Sequence, residues 1–128
     1  MPWRRRLKSR ALGCSLGLAD LCLAQGHLHG AERACNAGLD LVGAHPGLRG
    51  AADMHIGLCE VCIERNDLAG AREHLAASAA LGERAGLPQH PYRWRVAAAR
   101  LRRAEGDLGG ALALLDEAKG RYDTDYSP

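Results

Sequence analysis

Phenylalanine is absent from the chain, threonine occurs once, and valine and isoleucine together supply only five residues. Strands favour β-branched and aromatic side chains, so these absences argue strongly against a β-rich fold. Long apolar runs are missing as well: nothing approaches the about 18 uninterrupted residues that a membrane span needs. What fills the apolar fraction instead is alanine (23) and leucine (20), which both rank high in helix propensity. At 128 residues the composition predicts one all-α domain, with a core large enough to fold alone and no room for a second catalytic domain.

The charge is unevenly placed. Arg4, Arg5, Arg6, Lys8 and Arg10 crowd the first ten residues, leaving a slightly acidic body of 12 basic against 15 acidic side chains. A nucleic-acid footprint needs basic residues clustered on one face of the fold, and a single terminal tract reads as a solvated end, so no direct nucleic-acid binding is expected. That tract followed by the apolar Ala11 to Ala24 has the order of a secretory signal, but Asp20 interrupts it and no small-x-small cleavage site follows. Five cysteines, an odd number at 14, 22, 35, 59 and 62, suit buried free thiols in a reducing cytoplasm better than a disulfide framework.

Self-comparison gives the organisation. Leu16 to Ala31 (LGLADLCLAQGHLHGA), Ile56 to Ala71 (IGLCEVCIERNDLAGA) and Val96 to Ala111 (VAAARLRRAEGDLGGA) align without a gap at a period of 40. In each, an apolar helix ends at Gly26, Asn66 or Gly106, residue types that tolerate the left-handed conformation closing a helix. A polar residue follows, of which Asp67 and Asp107 are good N-caps and His27 a poorer one. Leu28, Leu68 and Leu108 then open a second helix, and Ala31, Ala71 and Ala111 let two backbones approach closely.

Helical spacing predicts inward stripes of Leu18, Leu21 and Cys22, then Leu58, Val61 and Cys62, then Ala98 and Leu101 in the first helices. In the second helices the stripes are Leu28, Ala31 and Cys35, then Leu68, Ala71 and Leu75, then Leu108, Ala111 and Leu115. Helices are expected at about 11–25, 28–42, 49–65, 68–85, 92–105 and 108–121, with loops at Gly43 to Gly47 and Gly86 to Pro91. The expected fold is a right-handed superhelical stack of about three antiparallel helix pairs, an α-solenoid. A basic segment 1–10 precedes repeats at about 11–47, 48–90 and 91–121, and an aperiodic tail 122–128 follows.

A small residue (Ala19, Cys59, Ala99), a Gly-Asp or Asn-Asp turn and then Leu-x-x-Ala resemble the tetratricopeptide (TPR) pattern, although the period of 40 exceeds the usual about 34 and the aromatic positions hold Ser, His, Cys or Arg. The phrases AQGHLHGA, ERNDLAGAREHL, ERAGLP and AEGDLGGALALLDEA resemble more closely the TPR-like region of MalT-type, LuxR-family transcriptional activators, across roughly residues 11–122. The resemblance implies a non-enzymatic region that binds inducer or regulatory proteins between an NTPase and a helix-turn-helix. Neither flanking domain is evident in this sequence, since no G-x-x-x-x-G-K-[ST] occurs, and neither phosphate nor DNA binding carries over.

Chemistry-bearing residues are few. His55, Cys59 and Cys62 fall at i, i+4 and i+7, one helix face that could offer three zinc ligands, yet Cys59 aligns with the small packing positions Ala19 and Ala99. The expectation is therefore no metal, no cofactor and no catalysis, with a small metal-binding helical protein as the minor alternative. The first helices of stacked pairs line a concave surface. Alignment places Asp20, Leu23, Asp53, Glu60, Ile63, Glu64, Arg93, Arg100 and Arg103 there, acidic in two repeats and basic in the third. Such a gradient suits a protein or peptide segment carrying both signs, or a small signal ligand; the same charges also suit an ordinary solvated face. The alternative function is structural: a piece of a longer solenoid, or a homodimer joined through exposed end helices. A cytoplasmic location, with no membrane contact, completes the expectation.

Overall fold

The structure is a computed structural model and describes residues 2–43 and 48–126. Among them are six α-helices and no strand: α1 Pro2–Ala24, α2 Leu28–Val42, α3 Ala51–Glu64, α4 Leu68–Leu81, α5 His90–Ala104 and α6 Leu108–Tyr126, with one 3-10 turn at Glu83–Ala85. No helix among the described residues is long and apolar enough to cross a membrane. Helices pair within each repeat, α1 with α2, α3 with α4 and α5 with α6, and successive pairs stack through α2 on α3 and α4 on α5.

The three hairpin turns are built alike. Gly26, Asn66 and Gly106 hold φ of 75°, 60° and 86°, the left-handed conformation in which Gly and Asn are least strained. The following N–H groups of His27, Asp67 and Asp107 reach back to the carbonyls of Cys22, Cys62 and Arg102 at 2.7 to 2.8 Å, closing each first helix as a Schellman motif. Asp67 and Asp107 then cap the next helix by accepting from the Gly70 and Gly110 amides, whereas His27 makes no side-chain cap.

Small side chains set the spacing within pairs. Ala31, Ala71 and Ala111 are 0, 0 and 6% exposed, and Ala19, Cys59 and Ala99 opposite them are equally buried. Between pairs, Cys35 on α2 packs so closely on Gly57 of α3 that a Cβ there would come within 2.5 Å of its sulfur. Leu58 and Val61 join Ala31, Ala34 and Cys35 in one apolar cluster; Ile56, Cys59, Ala71, Ala97 and Leu101 form the next. Nine of the 14 residues of α3 are buried, because both neighbouring pairs cover it.

Several expectations need correction. Leu18 and Leu21 are 55% and 63% exposed, and Leu12, Leu16 and Ala19 carry the buried face of α1 instead. Leu108 and Leu115 are likewise exposed, at 62% and 44%. The repeat positions of these four residues face a neighbouring pair, and the first and last pairs each lack one. The basic segment is not separate: residues 2–10 continue α1, and α6 runs through Tyr126 where an aperiodic tail is expected. Helix α4 ends at Leu81 rather than 85, since Gly82 takes φ 79° and turns the chain into the 3-10 segment. Of the first expected loop, residues 44–47 lie outside the described residues.

Close packing at the alanine column makes it sensitive to volume and charge. Ala71→Glu lowers unfolding stability by at least about 1 to 3 kcal/mol, read as a depressed chemical-denaturation midpoint; an unchanged midpoint would contradict the register.

Candidate functional site

The 40-residue period sets Asp20, Glu60 and Arg100 in one column along α1, α3 and α5. Around that column the structure gathers Asp20, Leu23, Glu60, Ile63, Glu64, Arg100 and Arg103, with Ala24, into a groove of about 420 Å³. Half-buried Leu23 and Ile63 supply its apolar surface. Arg100 donates to Glu60 at 2.7 Å. Burial pushes the Glu60 carboxyl above the usual carboxylate range, against the pull of Arg100 and Arg93. Glu64 and Arg103, one turn further along α3 and α5, have no ion-pair partner among the described residues and are the groove's uncommitted charges.

Arg93 does not line the groove. Its guanidinium donates to both carboxylate oxygens of Asp20, at 3.0 and 2.7 Å, a fork geometry that joins the first helix of pair one to that of pair three. The sequence places the two residues 73 positions apart, and no periodicity links them.

Asp53 departs from the concave-face expectation altogether. It is fully buried and accepts the Leu87 amide at 2.8 Å. The connection between pairs two and three folds over the start of α3, where Gly50 donates to the Ala85 carbonyl and Arg49 to that of Gly86. Its column mate Arg93 has no such cover, so one register position yields a core carboxylate in one repeat and a groove strut in the next. Burial raises the Asp53 pKa, opposed by the Leu87 amide and by His90.

Sequence reasoning missed a polar network around this residue. Ser78 and His90, both buried, meet at 2.9 Å between the serine oxygen and Nε2. The Ser78 hydroxyl donates its one proton to the Ala52 carbonyl at 2.9 Å, so Nε2 of His90 must be the donor in their contact. A base poised to deprotonate a serine would need a bare Nε2 and a route for substrate, and this cluster has neither a free lone pair there nor exposure. It is a lock holding the connection against α3. Three residues on three elements at unrelated spacings leave no linear signal.

The helix-spaced His55, Cys59 and Cys62 do not converge as ligands. The His55 ring meets that of His74, Nδ1 to Nδ1 at 3.2 Å, while Cys59 is fully buried. Among the described residues no three His, Cys, Asp or Glu side chains group as a metal site. Burial pushes the thiols of Cys59 and Cys35 up to about 12.

With the groove and its stacked pairs in place, the protein-family comparison gives a match to the MalT-like TPR region over residues 3–127. The chain belongs to the MalT-like TPR region family. The family match takes in the basic first turns of α1 and the last turns of α6, both of which composition and periodicity had set apart from the repeats. No curated protein and no solved structure matches the chain.

The buried thiols of this TPR region give a direct check on its packing. In the folded, reduced chain near neutral pH, iodoacetamide labels exposed Cys14 at least about a hundredfold faster than Cys35 or Cys59, as followed by mass spectrometry. Comparable rates at the three sites would mean that the helices do not pack as described.

Proposed function

We propose that the chain is a non-catalytic binding module whose groove across α1, α3 and α5 holds an extended protein or peptide segment, and that it serves as the regulatory region of a MalT-type, LuxR-family transcriptional regulator in the cytoplasm. One observation carries this reading: the groove combines an apolar floor of Leu23 and Ile63 with two charges of opposite sign, Glu64 and Arg103, that have no ion-pair partner among the described residues. Asp20 and Glu60 are already paired with Arg93 and Arg100, so they shape the groove and contribute little selectivity. A segment with one basic and one acidic residue flanking apolar side chains satisfies both free charges. Family membership supports the regulatory setting, and the shape of the stack supports binding over chemistry, since its polar triad is closed to solvent. Phosphate and DNA binding are not assigned to these residues.

Selection of random peptides on the immobilised chain tests the reading. Sequences enriched on the native groove carry both signs; Arg103→Glu removes the preference for an acidic residue and Glu64→Lys the preference for a basic one. Either substitution weakens a selected peptide about tenfold, a loss of about 1.4 kcal/mol in fluorescence anisotropy. Selected peptides indifferent to both changes would place binding outside the groove, and selection of none, with a small signal molecule bound instead, would replace the peptide with that ligand.

A further inference from the structure

Helix α4 changes character along its length. Its fully buried residues are Ala71 and Ser78, so an alanine seals its first half and a hydroxyl its second. Two histidine contacts, one turn apart, hold that second half down. His74 meets His55 of α3, Nδ1 to Nδ1 at 3.2 Å. Ser78 donates to the Ala52 carbonyl of α3 and accepts from Nε2 of His90, the first residue of α5, each at 2.9 Å. Trp94 of α5 adds its indole N–H to the Leu75 carbonyl at 3.1 Å.

Both histidine contacts depend on protonation. The centroids of the His55 and His74 rings are 5.4 Å apart, close to the nitrogen contact plus two ring radii, so the rings meet head on. Their lone pairs therefore lie along one line and do not converge on a third point, as those of two metal ligands would. One Nδ1 carries the hydrogen and the other accepts it. A first added proton is tolerated, since the donor ring still donates as an imidazolium. A second sets the N–H groups of two cations face to face and removes the bond. At His90, Nε2 is already the donor to Ser78, and an added proton must go to Nδ1, which is buried with no hydrogen-bond partner among the described residues.

Burial lowers the pKa of both His55 and His90. At His55 the charge of His74 works in the same direction. At His90, Arg95 and Arg93 of its own helix do so too, while Asp53 of α3 and Glu83 of the 3-10 turn pull the other way without outweighing burial. A histidine lowered in this way contributes stability above its unfolded value of about 6.5 and loses it as pH falls through the folded value.

We propose that the second half of α4 is an acid-sensitive seam, whose two histidine contacts hold it on α3 and α5 at neutral pH and give way together in mild acid. The released turns lie where pairs two and three meet, through α4 on α5. None of the residues involved lines the groove, and the inference stands independently of the peptide reading.

Amide hydrogen exchange by NMR on the full chain, corrected for intrinsic rates, tests it. Between about pH 7.5 and about pH 5, residues 75–81 lose protection at least about tenfold more than residues 31–38 of α2, because each histidine contributes up to about tenfold per pH unit. In the H74N/H90Q double variant the two helices keep a constant ratio of protection: the asparagine bonds His55 in either charge state, and the glutamine keeps a donor toward Ser78 without titrating. The imidazole signals of native His55 and His90 titrate below the ordinary histidine range and in step with the loss, a readout that needs no variant to fold. A native ratio that stays constant, including equal loss in both helices, overturns the proposal. So does an equal shift of that ratio in the double variant, or titration of His55 and His90 at the ordinary value.

Discussion

Close approach between helices is the constraint on which this structure rests. A chain with no phenylalanine and only five Trp and Tyr residues has few large side chains with which to fill wide interhelical gaps. Its solution is to remove the gaps. Alanine at 31, 71 and 111, glycine at 57 and small residues at 19, 59 and 99 let backbones pack directly, so dispersion contacts among many small groups replace the burial of a few large ones. The same economy makes the stack depend on its neighbours: each pair buries part of its apolar surface only against the next.

Helix α3 shows what this dependence produces. Covered by pair one on one side and pair three on the other, and sealed at its start by the connection that Asp53, Ser78 and His90 hold down, it is the most enclosed element. An open strip on it carries Glu60, Ile63 and Glu64 into the groove. Rigidity behind that strip and the Asp20–Arg93 strut across it position the groove's uncommitted charges without needing a loop to close. The groove is thus a product of stacking, and its electrostatics follow from which charges the stack has already paired.

Much of this was legible in the sequence, and the exceptions share a cause. The turns at 26, 66 and 106, the alanine column and the membership of seven groove residues all follow from local periodicity and a single alignment, because repeats put equivalent residues in equivalent places. Leu18, Leu21, Leu108 and Leu115 depart from the inward stripes because equivalence fails where a repeat has no neighbour in this structure. Asp53 departs from the concave face because a connecting segment, 34 residues away at Leu87, covers its repeat and not the others. The Arg93 fork to Asp20 spans two repeats, a distance over which periodic reasoning carries no partner information.

Nearest-neighbour stacking around α3 is the central claim, and native-state amide hydrogen exchange measures it most directly. The account predicts the slowest exchange in α3, between Met54 and Val61, with faster exchange in α1 and α6, whose outer faces lie open. Protection that is greatest in α1 or α6, or uniform along all six helices, would contradict it.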